Sequence, residues 1–380
     1  MNVHLAYGDT GYGDLTAVED LLGALRVHHV RDAGTIGKTG LCSAYRSLAR
    51  AGIRTDFVAS IDQDPRTFGQ WLPCVGSAAE AFEGPNEFNT TGGDWAQRLR
   101  TYQQVLYQTL KSSPATAHLP VIAPALTVSD AYRSLGNIAG DADVGNSHDY
   151  LMGHNPGAAG YCGADAGGRP HSWIECELAD SRVTTGTKPV MATETGYGTG
   201  ASAYAIDPTV QAKYVPRLFL EHFNAGIART YEYELIDEGT DAYNGYGLVD
   251  AKLRPKPAFV ALENLVRAIG ASPSATREPK FPIVLRAASG DVHHTLLERG
   301  GGFVLILWLE VPGEDPSTHQ PVAVPAQHVQ IQFGAVPASI TVCSLAGRTS
   351  HPAPIKPARN VNVDVTDWPA VFAITPRVHR

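Results

Sequence analysis

Two short runs decide how this chain is read: Phe82-Glu83-Gly84-Pro85-Asn86-Glu87-Phe88-Asn89, and Pro189-Val190-Met191-Ala192-Thr193-Glu194-Thr195-Gly196-Tyr197. Each sets a glutamate at the end of a short apolar stretch of strand length. Outward from them, similar stretches alternate with longer ones whose apolar residues recur at helical spacing. The strands read as Val3-Tyr7, Val27-Arg31, Arg54-Ala59, Ala79-Gly84, Val121-Ala125, Val144-His148, Val190-Thr193 and Ala228-Tyr233. Helices are predicted over Leu15-Leu25, Leu41-Ala51, Trp95-Leu110, Val210-His222 and Pro255-Ile269, the last with prolines near its start, where a missing amide donor costs least. Eight such alternations in about 270 residues are what a (β/α)8 TIM barrel requires. Gly153 to Arg169, rich in glycine and without periodicity, reads as a loop above the catalytic face.

Past residue 275 the helical spacing stops. Phe281-Ala287, Val292-Leu297, Phe303-Leu309, Val329-Phe333, Ile340-Leu345, Val361-Val365 and Val371-Ile374 read as antiparallel strands of a β-sandwich. The expected division is a catalytic barrel over 1-272 and a β-sandwich domain over 273-380, joined by a Ser-, Pro- and Ala-rich linker from Gly270 to Pro279. With no row of solvent-facing aromatics evident, the sandwich reads as a rigid appendage, and Trp308 as part of its packing.

The composition excludes several classes of partner. Thirty basic and 38 acidic side chains leave a net charge of -8 and no basic stripe for nucleic acid. No apolar run reaches the roughly 18 residues that would span a bilayer. The first strand begins almost at residue 1, with no room for a signal peptide, so the chain reads as secreted or periplasmic with its leader removed, or as cytoplasmic. None of the five cysteines forms a Cys-x-x-Cys pair. Cys42 with Cys74 and Cys162 with Cys176 are placed to form two disulfides beside a leftover Cys343; five reduced, buried cysteines are the alternative, and disulfides would favour export. Nothing in the sequence specifies an oligomeric state.

Cleaving a glycosidic bond takes a proton donor for the leaving oxygen and a second carboxylate at the anomeric carbon. Glu87 and Glu194 fall at the ends of the fourth and seventh strands, facing one another across the barrel mouth. With 38 acidic residues, some follow apolar segments by chance. The pair gains weight from other polar residues at strand ends: Arg31 at the second, His148 and Tyr150 at the sixth, and Tyr231 and Glu232 at the eighth. The active site of such barrels lies on that face. Glu83, just before Gly84, reads as the partner of a barrel arginine. Trp95, Tyr150, Trp173 and Tyr197 are candidate sugar platforms and equally candidate anchors of core or loop.

These motifs resemble the retaining glycoside hydrolases of clan A, the 4/7 superfamily of TIM barrels, over residues 1 to about 270. The resemblance implies that Glu87 is the acid/base and Glu194 the nucleophile. It implies that Arg31 binds the nucleophile, that Asn86 hydrogen-bonds the sugar 2-hydroxyl, and that His148 and Tyr150 support the pair. Where members carry an aromatic platform at strand eight, often tryptophan, this chain offers Tyr231 and Tyr233. The runs Thr230-Tyr231-Glu232-Tyr233-Glu234-Leu235, Gly247-Leu248-Val249-Asp250 and Lys256-Pro257-Ala258 resemble bacterial β-xylosidase-like and exopolysaccharide-cleaving members, as does the appended sandwich.

The implied activity is retaining hydrolysis of a β-linked oligo- or polysaccharide, needing no cofactor and no metal. A barrel that binds carbohydrate without turnover is one alternative. A transglycosylase using the same two glutamates is another. No Walker loop, strand-linked Gly-x-Gly-x-x-Gly, Gly-x-Ser-x-Gly elbow or His-Glu-x-x-His is present. His148, Asp149 and His154 could compose a metal set, but a hydrogen-bonding role suits His148 better on a strand end that runs into a Gly-rich loop.

Overall fold

The computed structural model describes residues 1–33, 39–239, 245–270, 283–347 and 351–377. The linker expected after Gly270 falls outside the described residues, as do Phe281 and Pro282 at the start of the first expected sandwich strand. The chain has an α/β barrel core and a C-terminal antiparallel β-sandwich. It divides into two compact units, one of Met1–Leu151, Ala159–Ala201 and Ala225–Arg254, the other of Met152–Ala158, Ser202–Asn224 and Pro255–Arg380.

In the first unit the chain runs α1 (Leu15–Ala24), β1 (His29–Ala33), α2 (Thr39–Arg50), β2 (Arg54–Val58), α3 (Leu72–Val75), β3 (Ala79–Glu83), α4 (Trp95–Ser112), β4 (Val121–Ile122), α5 (Ser129–Leu135) and β5 (Gly145–His148). Next come a hairpin of β6 (Ala159–Ala164) and β7 (Pro170–Ser172), then α6 (Trp173–Thr185), β8 (Val190–Thr195) and β9 (Arg229–Glu232). β1 to β4 form one parallel sheet in chain order, and β5, β8 and β9 form another. A parallel bridge between Ile122 and Val144 joins them on one side. On the other, Asn2 bridges Arg31 while its amide donates to the Glu232 carbonyl at 2.8 Å, so the N-terminal segment is the eighth stave and closes the ring.

Two staves are shorter than their sequences suggest. Pro124 removes a ladder donor from the Val121–Ala125 stretch, and in Val3–Tyr7 the strand pairing begun at Asn2 gives way to a turn at Leu5 and Ala6. The Gly-rich segment holds the β6–β7 hairpin, tied to α6 by the Cys162–Cys176 disulfide. α6 itself starts with a capping box, Ser172 bonding the Glu175 amide and Glu175 the Ser172 amide. A second disulfide, Cys42–Cys74, links α2 to α3.

The second unit contains α7 (Pro208–Ala225), α8 (Pro257–Ile269), β10 (Ile283–Arg286), β11 (Val292–Arg299), β12 (Gly302–Leu309), β13 (Gln327–Phe333), β14 (Ser339–Ser344), β15 (Ala353–Ile355), β16 (Asn360–Val365) and β17 (Ala370–Thr375). The sheets are ordered β11-β12-β17-β14-β15 and β10-β13-β16, with every pairing antiparallel. β15 is an edge strand that its proline conceals in the sequence. Phe303, Leu305, Leu307 and Leu309 alternate into the core with Val329, Ile331, Phe333, Phe372 and Ile374.

The intervening residues of β12 are buried too, so its apolar run is nearly continuous. Trp308 lies on that second face, where its indole donates to Glu310 Oε2 at 2.8 Å. The same carboxylate receives Arg217 of α7, Asn155 at 2.8 Å and the Gly157 amide at 2.9 Å. Trp308 therefore lies on the face of β12 turned away from the core between the sheets, where His293 of β11 meets its ring edge-on.

Peptide mapping without reductant should recover both disulfides, and alkylation of the unfolded, unreduced chain should modify one cysteine. Reduction of the 14-residue Cys162–Cys176 closure alone should lower stability by about 3 kcal/mol in chain-entropy terms, measured by urea unfolding of a Cys162→Ser, Cys176→Ser variant.

Candidate active site

The barrel interior is polar, and its polarity is layered. At the lower level Glu80 of β3 accepts from Arg229 at 2.8 Å and from the Tyr231 hydroxyl at 3.2 Å. Tyr231 is thereby placed below the mouth, fully buried. Glu232, next on β9, is also fully buried, and burial pushes its carboxyl well above the usual carboxylate range.

Above this level lies Arg31, at the middle of β1. It makes five N–H bonds to five acceptor atoms on four residues. Nε and Nη2 grip Glu83 at 2.9 and 2.7 Å; Nη2 also donates to Asn86 Oδ1 at 2.7 Å; Nη1 donates to Asn2 Oδ1 at 2.9 Å and to Glu194 Oε1 at 2.6 Å. A guanidinium has five N–H donors, so the set is complete. Burial would lower the arginine, but Glu83 and Glu194 outweigh it and raise it well above its ordinary value. Asp56, beside Arg31 in the β1–β2 register, goes the other way from an ion pair: burial and the neighbouring Glu83 push its carboxyl well above the usual range.

At the mouth, Glu194 near the end of β8 also accepts the Tyr150 hydroxyl at 2.8 Å. Burial would raise its carboxyl, but the charges of His148 and Arg31 and the hydrogen bonds from Tyr150 and Arg31 prevail and bring it to about 2. Glu87 sits in the β3–α4 loop with a left-handed backbone, φ 45°, and its amide donates to the Ala125 carbonyl. Its turn begins at Gly84, where a Cβ would come within 2.3 Å of Gln103 Oε1 and 2.8 Å of the Pro124 nitrogen, which only glycine avoids. Glu87 Oε1 lies 2.8 Å from His148 Nδ1. One oxygen of Glu87, one of Glu194 and a ring nitrogen of His148 lie within 4.8 Å of one another.

Arg31, Asn86, Glu87, His148, Tyr150 and Glu194 thus converge. The remaining aromatic candidates are placed elsewhere. Trp95 packs against the Phe88, Leu99 and Tyr132 cluster behind the Glu87 loop. Trp173 meets Tyr161 of the hairpin edge to face, and Tyr197 is buried. The sequence reading missed Asn2, Asn146 and Thr193 within the network. It also missed Tyr246, which forms an edge-to-face triad with Tyr150 and Tyr233 beside Glu194. His4 extends this wall, edge-on to Tyr233 and 3.3 Å from Glu238. The period-two pattern of the strands was the only sequence signal for Thr193, two residues after the inward Met191.

Glu87, His148 and Glu194 also have the spacing to share a metal ion, and His4, Glu234 and Glu238 form a second such group; Asp149 and His154 are in neither. Within the first group Arg31 donates to Glu194 Oε1, and the His148 ring nitrogen faces Glu87.

No family model matches the sequence, and no curated protein matches it. Among solved structures the chain is similar to a family 39 glycoside hydrolase from Bacteroides cellulosilyticus, at 12% identity and a TM-score of 0.68, covering 99% of this chain and 80% of that one. It is also similar to a monomeric β-xylosidase from Caulobacter crescentus, at 14% identity and a TM-score of 0.64, covering 100% and 96%. A calcium-binding mutant of Bacteroides uniformis β-glucuronidase 2 matches at 13% identity and a TM-score of 0.51, covering 93% of this chain and 43% of that one. At these identities the likeness defines the fold alone, an α/β barrel with a C-terminal β-sandwich. Among the described residues no helix is long and apolar enough to cross a membrane.

The lowered Glu194 carboxyl links stability to pH. Its folded value of about 2 lies below the ordinary 4.5, so its contribution is fully present above about pH 4.5 and is lost as pH falls toward 2. At pH 7 Glu194→Gln should therefore be the less stable protein, by about 3 kcal/mol at most. The gap should close as pH falls from 4.5 to 2, followed by urea unfolding at each pH.

Proposed function

We propose that the chain is a retaining glycoside hydrolase acting on a β-linked, neutral oligo- or polysaccharide. The observation that carries this reading is the approach of Glu87 and Glu194 oxygens to within 4.8 Å. Retaining pairs stand about 5 to 5.5 Å apart, while inverting pairs leave about 6.5 to 9.5 Å for a water. Glu194, held ionised by Arg31 and Tyr150, attacks the anomeric carbon and forms a glycosyl ester. Glu87 gives its proton to the departing oxygen as that bond breaks. In the second half Glu87 takes a proton from water, which attacks the anomeric carbon and releases Glu194 as carboxylate.

The Asn86 carbonyl oxygen is engaged by Arg31, which leaves its amide nitrogen the natural donor to the sugar 2-hydroxyl. The Tyr150, Tyr233 and Tyr246 triad supplies ring faces and edges for the apolar side of the sugar. Residues 1-272 act as the catalytic domain on this reading, and 273-380 as its sandwich appendage.

Aryl β-glycosides of several sugars, followed by proton NMR, should give first-formed product of retained configuration. Glu194→Ala should lower kcat by at least about 10³-fold. Azide should then restore cleavage and give the α-glycosyl azide. Direct release of the inverted sugar by the unaltered enzyme would overturn the mechanism. Tight binding of a glycan with no turnover at any pH would instead make the barrel a binding protein, and transfer to added sugar in preference to water would make it a transglycosylase.

A further inference from the structure

Glu83 stands at a junction between the two halves of the site. One side of it is the bidentate Arg31, whose Nη1 reaches Glu194. The other is Thr193, whose hydroxyl lies 3.2 Å from Glu83 Oε1, 2.7 Å from Asn146 Oδ1 and 3.1 Å from His148 Nε2. His148 in turn places Nδ1 2.8 Å from Glu87. Glu83, Asn146, Thr193 and the His148 ring are all enclosed in protein.

Counting protons fixes the direction of this chain. A threonine hydroxyl has one proton to donate. Glu83 is gripped by a guanidinium and can only accept. The Asn146 nitrogen donates to the Ala123 carbonyl at 2.9 Å, which leaves its Oδ1 as a second acceptor facing Thr193. The hydroxyl proton is therefore directed to Glu83 and Asn146, and Thr193 Oγ1 must accept from the third neighbour. His148 consequently carries its proton on Nε2, and Nδ1 is left facing Glu87.

We infer that Thr193 and Glu83 are positioning residues that fix the His148 tautomer, so that one proton is held between Glu87 and His148 Nδ1 in the form the acid/base step needs. The proton rests either on Glu87, with Nδ1 accepting, or on Nδ1, with Glu87 as carboxylate. In both cases it sits next to the departing oxygen, and no further group has to move. The groups facing His148 are Glu87 from the β3–α4 loop, Glu194 and Thr193 from β8; Arg31 and Glu83 stand behind Thr193. The role deepens the glycosidase reading and rests on it for its use, but the tautomer itself can be measured without turnover.

Thr193→Val keeps the shape of the side chain and removes the acceptor. The buried Nε2–H then loses its partner, and the ring is expected to carry its proton on Nδ1, donating to the Glu87 carboxylate. Nitrogen NMR of protein labelled in histidine, with His148 assigned by a His148→Gln variant, should show Nε2–H in the unaltered protein and Nδ1–H in Thr193→Val. The pair then binds its extra proton less well, so the basic limb of kcat/KM should move down by about one pH unit. Thr193→Ser should restore both signals. As a control, Glu80→Gln alters a half-buried carboxylate of the lower layer and should leave the His148 signals unchanged.

An Nε2–H signal that survives Thr193→Val overturns the inference, as does a tautomer change that Thr193→Ser fails to reverse. If the tautomer changes as expected but no β-glycoside is turned over by the unaltered protein, the positioning network stands and the glycosidase reading falls.

Discussion

The site depends on one guanidinium whose donors are all assigned. Arg31 meets Asn2 from the N-terminal stave, Glu83 and Asn86 from β3 and its loop, and Glu194 from β8, so three separate segments are registered on one rigid planar group. A buried cation is tolerable only where its charge is answered and its N–H groups are filled. Here the answering carboxylates are Glu83 and Glu194, while Asp56 nearby is disfavoured as an anion by burial and by Glu83. The local sum of charge stays small, and Glu194 keeps the carboxylate form that a nucleophile requires.

The same geometry separates two glutamates that would otherwise behave alike. Glu194 is surrounded by His148, Arg31 and Tyr150, and its low carboxyl follows from those contacts against the opposing effect of burial. Glu87 projects from a loop whose backbone is held left-handed, more open to water, with an imidazole as its neighbour. Neighbours and exposure, more than residue type, give the two carboxyls different chemistry.

Much of this was legible in the sequence. The eight staves announced themselves through apolar runs at regular intervals, and the resemblance to clan A picked out the six residues that converge. Depth was not legible. Tyr231 and Glu232 occupy the last part of an apolar stretch, as a mouth residue would, yet β9 sits low enough that Tyr231 meets Glu80. Strand period states which face a side chain takes and says nothing of its height in the barrel. Thr193 was missed for a related reason: its role comes from neighbours on β3 and β5, none of which is near it in sequence. The β6–β7 hairpin was hidden by glycines that carry no pattern, and β15 by its proline.

β12 carries a cost of its own. Because both its faces are covered in the folded unit, Phe303-Val304-Leu305-Ile306-Leu307-Trp308-Leu309 is seven consecutive apolar residues without a charge, a glycine or a proline. That composition is the signature of segments that stack into cross-β assemblies when left unpaired. Its ends are guarded, by Arg299 and the glycines of the turn before it and by Glu310 directly after. Its neighbour β11 is reached through a tight hairpin, so the first partner available to the nascent strand is the one just made. Glu310 thus stands at the gatekeeper position beside the apolar run in the unfolded chain, and anchors Arg217 once the unit is folded.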